Sequence, residues 1–389
     1  MRTHCFDGSH RTRPPEQTWQ DIKPLLAGFG ITRVADVTGL DDLGIPVTMA
    51  VRPLARTLSV AQGKGTTLDA ARVSAAMEAI EVWHAERALP PVSLAQAPAA
   101  DLDLPYPITD LEQHPGSLLT NGVRLDWVTA RSAVDHAETL VPQAAVRLGR
   151  TIHNDWRQHL PSASTNGLAS GNTRAEAIVH GLCEVIERDA LSGLTDTSAG
   201  QAEVVDSSTV NTPYCAALLE RLSQRGCWWE LRHVPNRYGV PVMCCYLWRE
   251  DQSAAVVAGS GAHPDPGIAL WRAITEAAQT RLTLISGSRE DNQPLAYRPA
   301  PHRAPTPSAE NPVPWPTIEN RYGAPAASDT ELAHDLATAV ATATGQAPLV
   351  VDLTWGPYER AEFAVVKVCA PALRYTVRHT VPRPRKAAS

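Results

Sequence analysis

One helical pattern occurs twice in this chain and restricts how the chain can fold. Residues 67–81, TLDAARVSAAMEAIE, align without a gap on residues 173–187, TRAEAIVHGLCEVIE, which lie 106 positions later. Each copy has two Glu residues three positions apart. Residues three apart share one face of a helix. The fold must therefore accommodate a pair of carboxylates on each of two related helices.

The second copy extends over residues 173–190 and carries three acidic side chains on one face. At about 100° per residue, Glu184 lies roughly 80° and Glu187 roughly 20° from Glu176 around the helix axis. Arg188 comes directly after the last of them. A single Glu in such a helix is more often part of a solvated acidic face. Three of them beside an arginine favour a site for cations.

The two acidic helices together indicate a metal site. In the alignment, Glu78 corresponds to Glu184 and Glu81 to Glu187. Carboxylates a few ångströms apart repel one another or take up protons, so facing helices of this kind need cations between them. Mg²⁺ takes oxygen ligands, keeps several waters and is usually bound through carboxylates and substrate phosphates. The repeat therefore predicts a magnesium–nucleotide site between the two helices.

A third helix and a lysine add positive charge. Residues 267–285 have helical periodicity and place Arg272 and Glu276 on one face. An arginine fork suits phosphate oxygens, although an exposed Arg–Glu pair of this spacing is also an ordinary surface feature. The QGKG of residues 62–65 lacks the spacing of a Walker A loop. Lys64 can still reach a phosphate, and the alternative is a solvated side chain.

Three groups of residues resemble the signature blocks of the YcaO family. They are QGKG with SAAMEAIE, then TNGLASGNTRAEAIVHGLCEVIERDA, then GAHPDPGIALWRAITEAAQTR, in the family's order between residues 59 and 291. The resemblance implies an α/β fold of mixed α+β type, with antiparallel or mixed sheets and a nucleotide site between the duplicated acidic helices. It also implies ATP and Mg²⁺ as cofactors, and activation of a peptide backbone amide by phosphorylation of the amide oxygen.

Transferred position by position, the resemblance implies a set of site residues. The nucleotide contacts are Ser74, Glu78, Asn172, Glu176, Glu187, Arg188, Arg272 and Glu276, with Lys64 as a further candidate. The metal contacts are Glu78, Glu81, Glu184 and Glu187. No residue of the sequence identifies itself as a general base, so we assign no catalytic residue.

Composition excludes several classes of protein. The net charge of −6 argues against a general nucleic-acid binder, which would have a basic face. No apolar run is long enough for a membrane span, and the N-terminus does not resemble a signal peptide. The chain has seven cysteines and no CxxC motif, which argues against a disulfide framework and against a zinc site. We therefore expect a cytoplasmic protein.

The remaining sequence predicts the organisation of the chain. We expect an N-terminal strand and helix segment over residues 1–58 and a YcaO domain over residues 59–389. Residues 89–120 and 165–173 are rich in turn-forming residues and predict irregular structure. A proline-rich loop is expected over residues 292–328, because its many prolines exclude a continuous helix or a central strand.

Two terminal features bear on the reaction and on partners. The C-terminal VPRPRKAAS contains only Pro382 and Pro384, a partial match to the PxPxP tail of azoline-forming YcaO enzymes. The N-terminal block GITRVADVTGLDDLGIPV resembles the YcaO subgroup that acts beside a TfuA-like protein and is linked to backbone thioamides. We expect no fused leader-binding domain before the N-terminal block. We therefore expect a TfuA-like or leader-binding partner protein.

These observations lead to one expected function and two alternatives. The expected function is ATP-dependent thioamide formation on a precursor peptide, with sulfide from an external donor as the nucleophile. One alternative is a cyclodehydratase that uses Cys, Ser or Thr of the peptide as the nucleophile and forms azolines. The other is a nucleotide-binding scaffold without chemistry. A homodimer is left open.

Overall fold

The computed structural model describes most of the chain. It covers residues 4–6, 8–113, 117–149, 163–194, 202–249, 256–288, 311–326, 328–354 and 363–375, with side chains described from residue 8 onward. The described helices are α1 (Pro15–Ile22), α2 (Leu68–Arg87), α3 (Arg174–Ser192), α4 (Pro213–Gln224), α5 (Pro266–Ser286), α6 (Trp315–Glu319) and α7 (Asp329–Thr344). Helices and mixed sheets confirm the predicted fold class.

The strands form four sheets. They are β1 (His4–Phe6), β2 (Ser9–Arg11), β3 (Arg33–Asp36), β4 (Val47–Val51), β5 (Val60–Lys64), β6 (Leu94–Pro98), β7 (Arg124–Ser132), β8 (Glu138–Pro142), β9 (Leu168–Gly171), β10 (Glu203–Asp206), β11 (Cys227–His233), β12 (Val242–Arg249), β13 (Val257–Ala262), β14 (Val313–Pro314), β15 (Leu349–Asp352) and β16 (Ala364–Cys369). The larger sheets have the orders β6-β7-β15-β16-β9, with β8 beside β7, and β13-β12-β11-β10-β14. The smaller ones are β3-β4-β5 and the β1-β2 hairpin.

The two large sheets lie between three apolar layers. Alternate residues of β16 face different sides of the six-stranded sheet, so Val365 packs into one core and Val366 into the next. Cys244 shares the second core, whereas Cys245 on the opposite face of β12 packs into a third. This alternation is the period-two pattern of a sheet that is buried on both faces.

Side-chain caps explain where the two acidic helices begin. Thr67 precedes α2, and its side chain accepts a hydrogen bond from the backbone N–H of Ala70 at 3.1 Å. Thr173 makes the equivalent bond to Glu176 before α3, also at 3.1 Å. Such a cap satisfies one of the helix's first unpaired N–H groups and typically contributes about 1 kcal/mol. The two copies of the repeat therefore start their helices in the same way.

Three strand–helix units share one close contact, and two of them contain the sequence repeat. Unit 1 is β5–α2, unit 2 is β9–α3 and unit 3 is β13–α5. A Cβ added at Gly65, Gly171 or Gly261 would lie 2.7, 2.5 or 3.0 Å from the backbone nitrogen of Ala71, Ala177 or Ala273, respectively. Real Cβ atoms essentially never approach backbone closer than this. Only glycine at the end of each strand lets the helix pack so closely.

The three units form a closed ring. Each helix packs against its own strand and also against the strand of another unit: α2 against β9, α3 against β13, and α5 against β5. The ring brings the acidic faces of α2 and α3 and the charged face of α5 toward one region. The sequence predicted the three helices, and their equivalence as strand–helix units follows only from the structure.

Several local predictions need correction. Residues 165–173, expected to be a loop, contain the buried strand β9, because its small residues pair with β16 and lie against α3. The stretch 89–120 contains the edge strand β6, which pairs with β7 and can end in proline because an edge strand does not need every N–H. Within the predicted proline-rich loop, the described residues 311–319 form β14 and α6. Residues 289–310, Pro382 and Pro384 lie outside the described residues.

The sequence also predicted a domain division and no membrane span. The domain division at residue 58 stays a prediction, although strands β4 and β5 on either side of it pair antiparallel in one sheet. None of the described helices combines the length and apolarity that a membrane span needs.

Candidate functional site

The carboxylates predicted from the sequence meet where the three strand–helix units join. In each unit the residue before the close-packed glycine reaches a helix of another unit. Ser170 Oγ donates to Glu81 of α2 at 2.5 Å. Ser260 Oγ donates to Glu187 of α3 at 2.5 Å. Lys64 Nζ donates to Glu276 of α5 at 3.0 Å, so a contact from the same strand position closes the ring, although it reaches a different turn of its helix.

The inner carboxyl groups have pKa values near or above neutrality. Burial raises the pKa of Glu81 to about 8, and the nearby charges of Glu78 and Glu184 add to the rise, against the hydrogen bond from Ser170. Burial also raises the pKa of Glu184 to about 7, with Arg188 opposing the rise and Glu187 adding to it. Buried carboxyl groups that retain protons near neutral pH beside other carboxyls are sites where a cation can replace those protons.

Glu187 and Glu276 interact, and their pKa values shift in opposite directions. Burial and the charge of Glu276 raise the pKa of Glu187. Burial also acts to raise the pKa of Glu276, but Lys64 and Arg188 outweigh it and the pKa is lowered. Lys64 contacts only the second of these carboxylates directly. The lysine therefore favours the ionised form of Glu276 and links unit 1 to unit 3.

Cationic side chains border the carboxylates on one side. Arg188 lies 3.9 Å from Glu184, and although burial lowers its pKa, the charges of Glu187 and Glu184 raise it overall. Arg272 donates to the carbonyl of Ala262 at 3.2 Å, and burial lowers its pKa. Both guanidiniums remain charged at any physiological pH. The site therefore places guanidinium groups beside acidic groups, and their assignment to phosphate oxygens and metal ions stays a prediction.

Glu176 and Asn172 are held by the N-terminal segment. Arg11 Nη1 lies 2.9 Å from Glu176, and the backbone N–H and hydroxyl of Thr12 donate to the same carboxylate at 3.1 and 2.8 Å. Thr18 donates to Asn172 Oδ1 at 2.8 Å. Burial acts to raise the pKa of Glu176, but Arg11 and the Thr12 N–H hold it below its usual value. The sequence reading missed this contact, because no spacing relates positions 165 residues apart.

The remaining predicted residues lie on the same helices. Glu78 Oε2 accepts from the backbone N–H of Gln62 at 3.3 Å. Ser74 is half-buried one turn earlier on α2, where that helix lies against Gly63. Sequence reasoning did not single out Ser170 and Ser260, because Gly/Ser-rich strands resemble loops. His263 is buried between β13 and α5, and its Nδ1 accepts a hydrogen bond from the N–H of Asp265 at 3.0 Å.

The donor set suits Mg²⁺ shared with phosphates better than a metal held by protein alone. Among the residues the structure describes, no three His, Cys, Asp or Glu side chains are grouped so that they could hold a metal ion by themselves. Mg²⁺ needs only one or two carboxylates when phosphates and waters complete its shell. Glu78, Glu81, Glu184 and Glu187 can supply these, and Arg188 and Arg272 stand beside them.

Comparisons with known proteins agree with this reading. The family model described as YcaO cyclodehydratase, ATP- and Mg²⁺-binding, matches residues 62–374. An uncharacterised protein of Mycobacterium tuberculosis is 38% identical over 94% of this chain and 83% of its own length. An uncharacterised protein encoded in the tfuA 3′ region of Rhizobium leguminosarum bv. trifolii is 38% identical over 75% of this chain and 71% of its own length.

A solved structure extends the comparison to the fold. The structure of YcaO from Methanopyrus kandleri, bound with AMPPCP and Mg²⁺, has a TM-score of 0.68 and 25% sequence identity. It covers 98% of this chain and 100% of the other. The matched family's description confirms the prediction of ATP and Mg²⁺ as cofactors. Nothing in these comparisons tests the individual site residues, which stay predictions.

Proposed function

Because the chain belongs to the YcaO family, we propose that it uses ATP and Mg²⁺ to activate a backbone amide of a peptide. The observation that carries this proposal is the convergence of Glu81, Glu184 and Glu187 with Arg188 and Arg272 at the junction of three strand–helix units. Clustered carboxylates beside guanidinium groups are suited to a metal-bound triphosphate. A membrane or nucleic-acid partner has no comparable feature in the described residues.

The chemistry follows from the poor electrophilicity of an amide. Its carbonyl carbon accepts a nucleophile readily only when the oxygen can leave as something better than hydroxide. Bound Mg-ATP supplies a phosphoryl group that can make the amide oxygen a phosphate leaving group. The chain's own part is positioning and charge neutralisation. Glu78, Glu81, Glu184 and Glu187 would hold the metal, and Arg188 and Arg272 would steady the phosphates.

We propose external sulfide as the nucleophile, which gives a thioamide, and a TfuA-like protein as partner. The relative encoded in the tfuA 3′ region supports this choice, because it matches three quarters of the chain at 38% identity. The N-terminal block with which the sequence resembles the TfuA-associated subgroup supports it as well. The product is then a peptide in which sulfur replaces one backbone carbonyl oxygen, with phosphate and ADP released.

Azoline formation is the second candidate, because the matched family is described as cyclodehydratase. In that reaction a Cys, Ser or Thr side chain of the peptide attacks the activated carbonyl, and the net change is loss of water. Both reactions need the same nucleotide site and the same activated amide. They differ only in where the nucleophile comes from.

Reconstitution separates the candidates. The full chain, a TfuA-like protein and a precursor peptide encoded beside the gene are incubated with ATP, Mg²⁺ and sulfide, and the peptide mass is measured. Exchange of oxygen for sulfur supports thioamide formation, and loss of water supports azoline formation. An unchanged peptide together with unaltered ATP would favour a scaffold and would contradict the proposal.

A binding measurement tests the site itself. Calorimetric titration with Mg-ATP should show saturable binding to the wild type and at least about tenfold weaker binding to Glu184→Ala, because a charge-assisted contact is worth about 1.5–3 kcal/mol. Glu220→Ala on the exposed side of α4 is the matched control and should bind as the wild type does. Equal affinity of Glu184→Ala and wild type would remove the acidic cluster from the nucleotide site.

A further inference from the structure

A second recess lies beside the carboxylate cluster, and its chemistry differs from that of the nucleotide site. It contains about 470 Å³ of atom-free space, part of it open to solvent, and none of the charged groups proposed for the nucleotide lines it. Its walls come from the turns around residues 111 and 166, from one side of α3, from the end of β16 and from the segment after it. The residues used below are Leu111, Glu112, Asn166, Val185, Lys367 and Leu373.

We propose that this recess holds the backbone amide segment of the peptide substrate next to the site of phosphoryl transfer. The inference rests on the proposed function and goes beyond it by assigning the peptide subsite. The recess lies where such a subsite is needed. Val185 lines it and directly follows Glu184 on α3. Lys367 also lines it and is close enough to Glu184 for its charge to oppose the rise in the pKa of that carboxyl.

The segment after β16 joins the recess to the cluster. Leu373 lines the recess, and the N–H of Arg374 donates to Asp189 of α3 at 2.6 Å. The next residue, Tyr375, is half-buried, and the charges of Arg188, Glu112 and Glu184 all act on its phenol. Tyr375 therefore lies near Glu112 of the recess and near Arg188 and Glu184 of the cluster.

The polar atoms of the recess complement a peptide bond. Asn166 Oδ1 is buried, and no described residue supplies it with a hydrogen-bond donor. Lys367 Nζ donates to the carbonyl oxygens of Ser164 and Asn166, both at 2.7 Å, which accounts for two of its three N–H groups. The recess thus offers an acceptor that needs an N–H and a donor that can take a carbonyl oxygen. A backbone amide carries both groups.

The charge and the walls favour an amide over a nucleotide. Lys367 and Glu112 are a cation and an anion in the same recess, so the lining has no excess positive charge to hold phosphates. Leu111, Val185 and Leu373 provide apolar walls. A site lined by apolar side chains with few polar groups suits a neutral ligand whose orientation those groups fix.

Binding of a small backbone mimic tests the assignment without knowledge of the natural peptide. The probe is N-acetylglycine N-methylamide, titrated into the full chain and followed by saturation-transfer difference NMR. Its partner probe, N-acetylsarcosine N,N-dimethylamide, has no N–H. We expect the first to bind at least about tenfold more tightly, because a buried acceptor left without a donor costs about 1–3 kcal/mol. Equal binding of the two probes would overturn the assignment of Asn166 Oδ1 as the acceptor.

Variants locate the binding. Asn166→Leu removes the acceptor and Ala370→Leu fills the recess, and each should weaken binding of the diamide at least about tenfold. Ala339→Leu adds the same bulk to a half-buried position of α7 outside the recess and should leave the binding unchanged. Diamide affinity in Ala370→Leu equal to that of the wild type would refute the proposal. The proposal would also be refuted if a variant ending at Tyr375 bound the diamide at least tenfold more tightly than the wild type. Residues 376–389 would then be the ligand of the recess.

Mg-ATP titration of the same samples separates this inference from the proposed function. Mg-ATP can bind equally to the wild type, Asn166→Leu and Ala370→Leu. If the diamide then also binds all three equally, only the assignment of the peptide subsite is wrong. If Mg-ATP fails to bind the wild type, the proposed function itself fails.

Discussion

The raised pKa values of Glu81 and Glu184 lead to a prediction about protons. With pKa values of about 8 and about 7, these carboxyls are about 0.9 and about 0.5 protonated at pH 7. Metal ligands must be deprotonated, so binding of metal to the cluster releases those protons. Addition of preformed Mg-ATP at pH 7 should therefore release at least about 1.4 protons per chain, because Glu81 and Glu184 contribute about 0.9 and about 0.5.

Calorimetry in several buffers measures this release directly. The observed binding enthalpy at pH 7 varies linearly with the ionisation enthalpy of the buffer, and the slope is the number of protons released. Glu81→Gln is isosteric and cannot ionise. The number of protons released should therefore fall by about 0.9, which leaves at least about 0.5. Glu220→Gln on the outside of α4 should leave the release at the wild-type value. A slope near zero for the wild type, or the same slope in Glu81→Gln, would refute the assignment of these carboxyls to the metal.

The same pKa values determine how stability depends on pH. A carboxyl whose pKa is raised on folding stabilises the folded state below its unfolded pKa, near 4.5, and loses that contribution as pH rises through the folded value. The nucleotide-free protein should thus lose thermal stability as pH rises through about 7 and about 8. The loss should be smaller in Glu81→Gln. Saturating Mg-ATP should reverse it, because the ligand favours the ionised carboxylates.

Three further predictions concern single contacts. Gly171→Ala places a Cβ 2.5 Å from a backbone nitrogen of α3 and should lower the free energy of unfolding by about 1–3 kcal/mol, whereas Gly39→Ala, with open space around it, should change it little in the same denaturant titration. Glu86→Leu leaves the buried guanidinium of Arg52 without its partner at 2.8 Å and should cost about 3–5 kcal/mol in unfolding free energy, and a cost below about 1 kcal/mol would contradict the pairing. Lys64→Met should weaken Mg-ATP binding at least about tenfold with little change in thermal midpoint, because its ion pair is partly exposed. Unchanged affinity would show that this lysine only shapes the ring.

Regular helical periodicity in the sequence predicted which carboxylates lie together. The i,i+3 spacing of Glu78 with Glu81, and of Glu184 with Glu187, placed these carboxylates on shared faces, and the structure brings those faces together. The strand that completes unit 2 was missed, because Leu168–Gly171 is short and consists mostly of small residues. Its identity as a strand depends on pairing with β16 and on the close approach of α3. Neither partner can be read from the strand itself.

The hold of the N-terminal segment on Glu176 could not be predicted for a different reason. Sequence spacing relates residues within one helix, whereas Arg11 and Glu176 are brought together only by the packing of the complete chain. The same holds for Lys64 and Glu276, which come from units 1 and 3. The sequence identified the charged residues, and tertiary structure decided which of them pair with each other and which remain for a ligand.

The third unit explains how one ring can bind both metal and phosphate. The close contacts of Ala71, Ala177 and Ala273 with strand-end glycines align the three helices. For units 1, 2 and 3 in that order, one aligned position holds Ala70, Glu176 and Arg272. A second holds Ser74, His180 and Glu276. A third holds Glu81, Glu187 and Thr283. Units 1 and 2 thus keep acidic residues where unit 3 has threonine, and unit 3 has an arginine where the others have alanine or glutamate. A symmetric ring of three acidic helices would repel a triphosphate, so the divergence of α5 is what lets metal ions and phosphates share the centre.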